Sequence, residues 1–84
     1  MSQARDLVSM RSGQKGVVAS VHGGLGVTKR LDAMGIRPGV NLVKVAGQLF
    51  GGPVVVQVGN AQMAVGFGMA KKILVKTETQ QEKS

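Results

Sequence analysis

Apolar positions along the chain begin at Leu7, Val8 and Met10, after a polar-rich stretch, 1–6, expected to fray as a tail. Ser12-Gly13 is a turn signal. Gly16-Val17-Val18-Ala19-Ser20-Val21 reads as a strand, and strict alternation puts Val17, Ala19 and Val21 on one face. Gly23-Gly24-Leu25-Gly26 then breaks it. Val27, Leu31 and Met34 recur at steps of four and three, which is the spacing of one helix face, with Thr28, Lys29 and Asp32 on the other. Gly35 suits the left-handed residue that ends a helix. With Gly35 at C′, Leu31 and Ile36 fall at C3 and C″, the pair that makes the accompanying apolar contact. Pro38-Gly39 prevents continuation, so start and stop signals agree on a two-turn helix.

A second strand is expected over 40–46, although Leu42, Val43 and Val45 do not alternate cleanly. Gly51-Gly52-Pro53 closes a connection, and Val54-Val55-Val56-Gln57-Val58 is the clearest strand. Gly59-Asn60 is a two-residue hairpin turn, because both residues tolerate positive φ. That turn pairs Val58 with Ala61, Val56 with Met63 and Val54 with Val65, all apolar and on one face, so a one-residue slip would spoil it. The segment 66–72 makes one helical turn weakened by Gly66 and Gly68. Ile73-Leu74-Val75 is the last strand, and 77–84 is a polar, flexible tail. The pattern therefore predicts a mainly β domain over 7–76. Its expected architecture is a small barrel of about five strands, with one short inserted helix and a helical turn before the last strand.

Composition narrows the function. With 84 residues there is one domain, too small for a doubly wound nucleotide fold. There is no cysteine, one histidine and four acidic residues, so neither disulfides nor a metal is expected to staple it. The longest uncharged stretch, 45–70, is broken by glycines and Pro53 and is not a membrane span. No apolar signal segment follows the first residues, so nothing points to export and a cytoplasmic location is expected. The net charge of +7 calls for an anionic partner, although the cations are dispersed and only Lys29-Arg30 and Lys71-Lys72 are adjacent.

Catalytic patterns are missing. The strand, glycine run and helix at 16–34 imitate a phosphate-binding turn, but the order Gly26-Val27-Thr28-Lys29 is not a P-loop, and Lys29 stands where a dinucleotide fingerprint needs glycine. His22 lacks the companions of a metal site and reads as a surface or strand-end histidine. Asp6 and Asp32 are the only acids before the tail, so no triad or paired carboxylate is available. No enzyme and no cofactor is expected. Met10, Met34, Met63 and Met69 read as core filler, with Met63 or Met69 on a deformable partner surface as the alternative. Phe50 is expected to pack on the barrel rather than stand out as an anchor.

The run Lys29-Arg30-Leu31-Asp32-Ala33-Met34-Gly35-Ile36-Arg37-Pro38-Gly39 resembles the FeoA family of bacterial ferrous-iron-transport accessory proteins. Its signature is Arg-Leu, two residues, Met-Gly, an aliphatic residue, one more and Pro-Gly, carried here by Arg30, Leu31, Met34, Gly35, Pro38 and Gly39. The frame around it is similar too: Leu7 to Gly13 with Gly16-Val17, then Gly52-Pro53-Val54, then Ala70 with Ile73 and Val75. The resemblance implies an SH3-like β-barrel, family-level association with transition metal ions, and a partner, the FeoB-type membrane iron transporter with its cytosolic GTP-binding part. It further implies recruitment to the inner face of the membrane by that partner, without insertion. The same barrel forms the C-terminal domain of iron-dependent repressors, so a stand-alone relative of that domain is an alternative.

The chain departs from relatives at Gly66-Phe67-Gly68-Met69, which is apolar and glycine-interrupted, and Phe67 and Met69 there suit a partner contact or a homodimer patch. The expected partner-binding residues are Lys29, Arg30, Arg37, Phe67, Met69, Lys71 and Lys72. Arg30 borders the apolar helix face and either caps backbone carbonyls, the expected role, or points outward at an acidic partner. A small basic nucleic-acid-binding barrel is the competing function, motivated by charge and disfavoured by having two Phe and no Trp or Tyr to stack on bases.

Overall fold

The computed structural model describes residues 2–47 and 51–78. In chain order they form β1 (Ser2–Asp6), a 3₁₀ turn (Leu7–Ser9), β2 (Lys15–Val21), α1 (Gly24–Ala33), β3 (Asn41–Gly47), β4 (Val54–Val58), β5 (Ala61–Val65), α2 (Phe67–Ala70) and β6 (Ile73–Glu78). The strands make one antiparallel sheet in the order β1-β6-β2-β3-β4-β5. Residues of both its ends meet in one buried cluster, Val65 of β5 with Val75 of β6 and Leu7 after β1, so the sheet curves round on itself. Leu31, Ile36, Leu42 and Val56 fill the same cluster, each no more than 2% exposed. Burying one such side chain is worth about 1.5–3 kcal/mol.

The hairpin forms in the expected register, with Val54 opposite Val65, Val56 opposite Met63 and Val58 opposite Ala61. The helix stop is also as expected. Gly35 has φ +84°, the Ile36 amide donates to the Leu31 carbonyl at 2.9 Å, and the Gly35 amide donates to Asp32 at 2.9 Å. Those are the paired bonds of a Schellman motif, and Leu31 and Ile36 are both buried beside it.

Four expectations need correction. The segment 2–6 is a strand rather than a tail: it pairs with 74–78, Arg5 opposite Val75 and Asp6 opposite Leu74. A polar sequence does this because ladder bonds belong to the backbone, and β6 offers a free edge. For the same reason Thr77 and Glu78 belong to β6 rather than to a tail, while 79–84 lie outside the described residues. With β1 the sheet has six strands, in keeping with the expected small, mainly β domain of about five. In β2 the register shifts between Val18 and Ser20, so Val18 and Val21 share the inner side while Val17 is 38% exposed. A bulge inserts one residue and reverses the alternation beyond it. The helix starts at Gly24, so the glycine run is its first turn rather than a break before it.

A second shift, between Lys44 and Ala46, explains the irregular pattern of β3. Leu42 and Lys44 point inward and Val45 is 37% exposed. Of the methionines, Met10 is buried, while Met34, Met63 and Met69 are partly buried against the core. Phe50 lies outside the described residues.

Candidate functional site

α1 lays Leu31 into the core and leaves Arg30, one residue earlier, at the border of the buried face. Gly23, Gly26, Val27 and Arg30 of the α1 region line one wall of a small cleft whose other wall is Met69 of α2. The Lys72 stem packs against Gly23, whose φ of +102° favours glycine; a Cβ there would lie 2.7 Å from Lys72 Cδ and push that flexible side chain aside. The His22 amide donates to the Lys72 carbonyl at 2.8 Å, fastening the end of β2 to the turn before β6. Next along α2, Phe67 is 37% exposed, and Lys71 Nζ stands 5.5 Å from its ring centroid. At an exposed site such a cation–π contact contributes about 0.5–1 kcal/mol. It also occupies one face of the ring.

The structure thus brings Arg30 and Met69 together at one cleft, with Lys72 against Gly23 and with Phe67 and Lys71 on the same short helix or just after it. Lys29 is exposed on α1 and does not line the cleft. Arg37 lies past the other end of the helix, where its Nη1 donates to the Asp32 carbonyl at 3.3 Å and to Asp32 Oδ1 at 3.1 Å. The capping role expected of Arg30 therefore belongs to Arg37. Arg30 is exposed and forms no hydrogen bond or ion pair with the described residues. The physical reason is direction: side chains on a helix lean toward its N-terminus, away from the last carbonyls.

The other signature residues build the scaffold. Leu31 is buried, Gly35 stops the helix, and Gly39, with φ +94°, donates its amide to the Val18 carbonyl at 2.8 Å. The Val18 amide returns a bond to Val40 at 2.8 Å, so the Pro38-Gly39 turn is stitched to the middle of β2. His22 is exposed, with Nε2 3.1 Å from Ser20 Oγ. Among the described residues no group of three or more His, Cys, Asp or Glu side chains comes together.

One functional-looking residue escaped the sequence reading. Lys44 is only 5% exposed, and its Nζ donates to the carbonyls of Val8 at 2.8 Å and Met10 at 2.6 Å. Burial lowers its pKa from the usual 10.5, and Asp6 partly opposes the shift. It holds the 3₁₀ turn to β3, far in sequence from the cleft. The only sign in the chain is a lysine set between Val43 and Val45 in a strand of broken alternation.

The small curved sheet with its inserted helix is an SH3-like fold of the kind found in metal-dependent regulators. The FeoA domain matches residues 5–77, and the chain belongs to that family. It is similar to "Putative Fe(2+) transport protein A" of Methanocaldococcus jannaschii, 33% identical over 69 residues that cover 82% of each chain. It is also similar to a crystal structure of an iron uptake regulatory protein, FeoA. There the TM-score is 0.80 and the identity 31%, over 88% of this chain and 97% of the other. A manganese-dependent transcriptional repressor matches at TM-score 0.83 and 25% identity, over 93% of this chain but 44% of the repressor. No helix among the described residues is long and apolar enough to cross a membrane.

Proposed function

We propose that this FeoA-family chain is a non-catalytic, cytoplasmic accessory of ferrous iron uptake that docks on the cytosolic GTP-binding part of a FeoB-type transporter through the α1/α2 cleft. The observation that carries the reading is Arg30: an exposed guanidinium with no hydrogen-bond or ion-pair partner among the described residues, in a cleft it lines with Met69 and whose described lining contains no carboxylate. An acidic surface with an apolar tip complements that arrangement. Charge supplies orientation and encounter rate, and the apolar contact supplies the anchor. The transporter performs the chemistry and the transport; this chain contributes a shaped cationic surface.

A nucleic-acid reading is weaker on the same evidence. Phe67 is the only phenyl ring among the described residues, and Lys71 sits over it rather than leaving it open to a base. Calorimetric titration of the chain with the transporter's purified cytosolic domain, at near-physiological salt, tests the proposal. The wild type is expected to bind, and Arg30→Glu to bind at least tenfold more weakly. Equal binding by both proteins would remove the cleft from the account, and no binding by either would remove the partner.

A further inference from the structure

A second surface lies at the opposite ends of the strands that frame the cleft. Its lining includes four cations, Arg5, Arg11, Lys15 and Lys76, brought together from β1, the turn after the 3₁₀ segment, β2 and β6. Among the described residues no carboxylate lines it. Arg11, Lys15 and Lys76 are exposed and make no side-chain bond to the described residues. Asp6 is occupied in capping the 3₁₀ turn, accepting from the Ser9 amide at 2.9 Å, and Asp32 is held by Arg37. The fold therefore gathers Arg11, Lys15 and Lys76 here with no carboxylate beside them among the described residues. That costs stability through self-repulsion and is repaid when an anion arrives.

Shape and chemistry select among anions. The cations come from four separate segments of the chain rather than from one loop. Lining residues from β1, β6, β2, β3 and β4 span five neighbouring strands. At about 4.8 Å per strand spacing and about 3.3 Å per residue of extended chain, that width accommodates roughly six residues. Gln14, Asn41 and Gln57 also line the groove. Gln14 Oε1 accepts from the Arg11 amide at 2.9 Å and Gln57 bonds Gly59 and Gln62, so among these the Asn41 amide is the one left to donate to and accept from a peptide backbone. Val17, 38% exposed, gives an apolar contact on the floor. Among the described residues no aromatic ring lines the groove on which bases could stack.

We infer that this groove binds an extended acidic segment, about six residues long, of a partner protein. The inference is independent of the cleft: the sites lie at opposite ends of β2, roughly 20 Å apart at about 3.3 Å per residue. Simultaneous occupancy is geometrically open, and two weak contacts would then reinforce each other.

The test uses a fluorescein-labelled hexapeptide of Asp and Glu, read by anisotropy with the full chain at 0.1 M salt. Two charge-reversed proteins of identical net charge separate a site from bulk attraction: Arg11→Glu with Lys15→Glu in the groove, and Lys29→Glu with Arg30→Glu on α1. The groove variant is expected to bind the peptide at least tenfold more weakly than wild type, and the α1 variant within threefold. Lys76→Gln, a milder change on a strand, should weaken binding about threefold and keeps the test decisive if the double variant folds poorly. Equal losses in both double variants would overturn the inference by showing charge without a site. So would tighter groove binding of a six-nucleotide oligothymidylate, or full displacement of the peptide by millimolar inorganic phosphate.

Discussion

Replacing Lys44 with methionine tests how a buried cation holds this small sheet together. Methionine keeps a long apolar stem but deletes the ammonium that bonds Val8 and Met10 at 2.8 and 2.6 Å. A hydrogen bond to a charged group contributes about 1.5–3 kcal/mol net, and the two freed carbonyls lose their donor in a poorly hydrated place. Against this stands the cost of burying the charge, which the variant no longer bears. The balance predicts a loss of about 2–3 kcal/mol, or roughly 10–20 °C in Tm for a domain of this size. Thermal unfolding followed by circular dichroism measures it. The pH dependence gives an independent reading. Because burial lowers the folded-state pKa of Lys44 below 10.5, the unfolded chain holds more protons between the two values. Wild-type stability should therefore rise relative to Lys44→Met as pH climbs toward 10.5. A Lys44→Met protein as stable as wild type, or more so, would refute the reasoning, since the Val8 and Met10 carbonyls would then need no bond from the lysine nitrogen.

The remaining expectations concern the helix and its cap. Leu31→Ala removes a fully buried side chain and should cost about 3–5 kcal/mol in urea unfolding, enough to leave a chain of this size barely folded. Gly35→Ala should cost about 1–2 kcal/mol; the new Cβ would meet only Val58 Cγ1 at 4.0 Å, so the penalty is the positive φ alone. Arg37→Ala should shift stability by no more than about 1 kcal/mol, because both partners of the Asp32 pair are more than half exposed. Measured by the same urea titration, a larger Arg37 effect would mean that the carbonyl cap carries more of the helix than its geometry indicates.

Local signals were legible wherever one residue type decides the backbone. Gly35 with Ile36 identifies the helix stop, and Gly59-Asn60 sets the register of six paired residues without tertiary information. Alternation failed where it depends on an unbroken ladder: the shifts beside Val18 and Lys44 come from how β2 and β3 fit their neighbours. Residues 2–6 were unreadable for a related reason, since their pairing uses the edge of β6 and no apolar pattern. The site divides in the same way. The signature marked α1 and its exit, most of which turns out to be scaffold, whereas the separate roles of Arg30 and Arg37 follow from the direction of side chains along a helix. The inward course of Lys44 and the meeting of Lys76 with Arg11 and Lys15 need the folded sheet, because Lys76 lies on the last strand, remote in sequence from the other two.

The most direct measurement of the docking account is amide hydrogen exchange of the chain alone and in complex with the transporter's cytosolic GTP-binding domain. Slowed exchange confined to 23–30 and 67–72, lost when Arg30→Glu replaces the wild type, is the predicted result. A complex that leaves both segments exchanging at their free rates would contradict it.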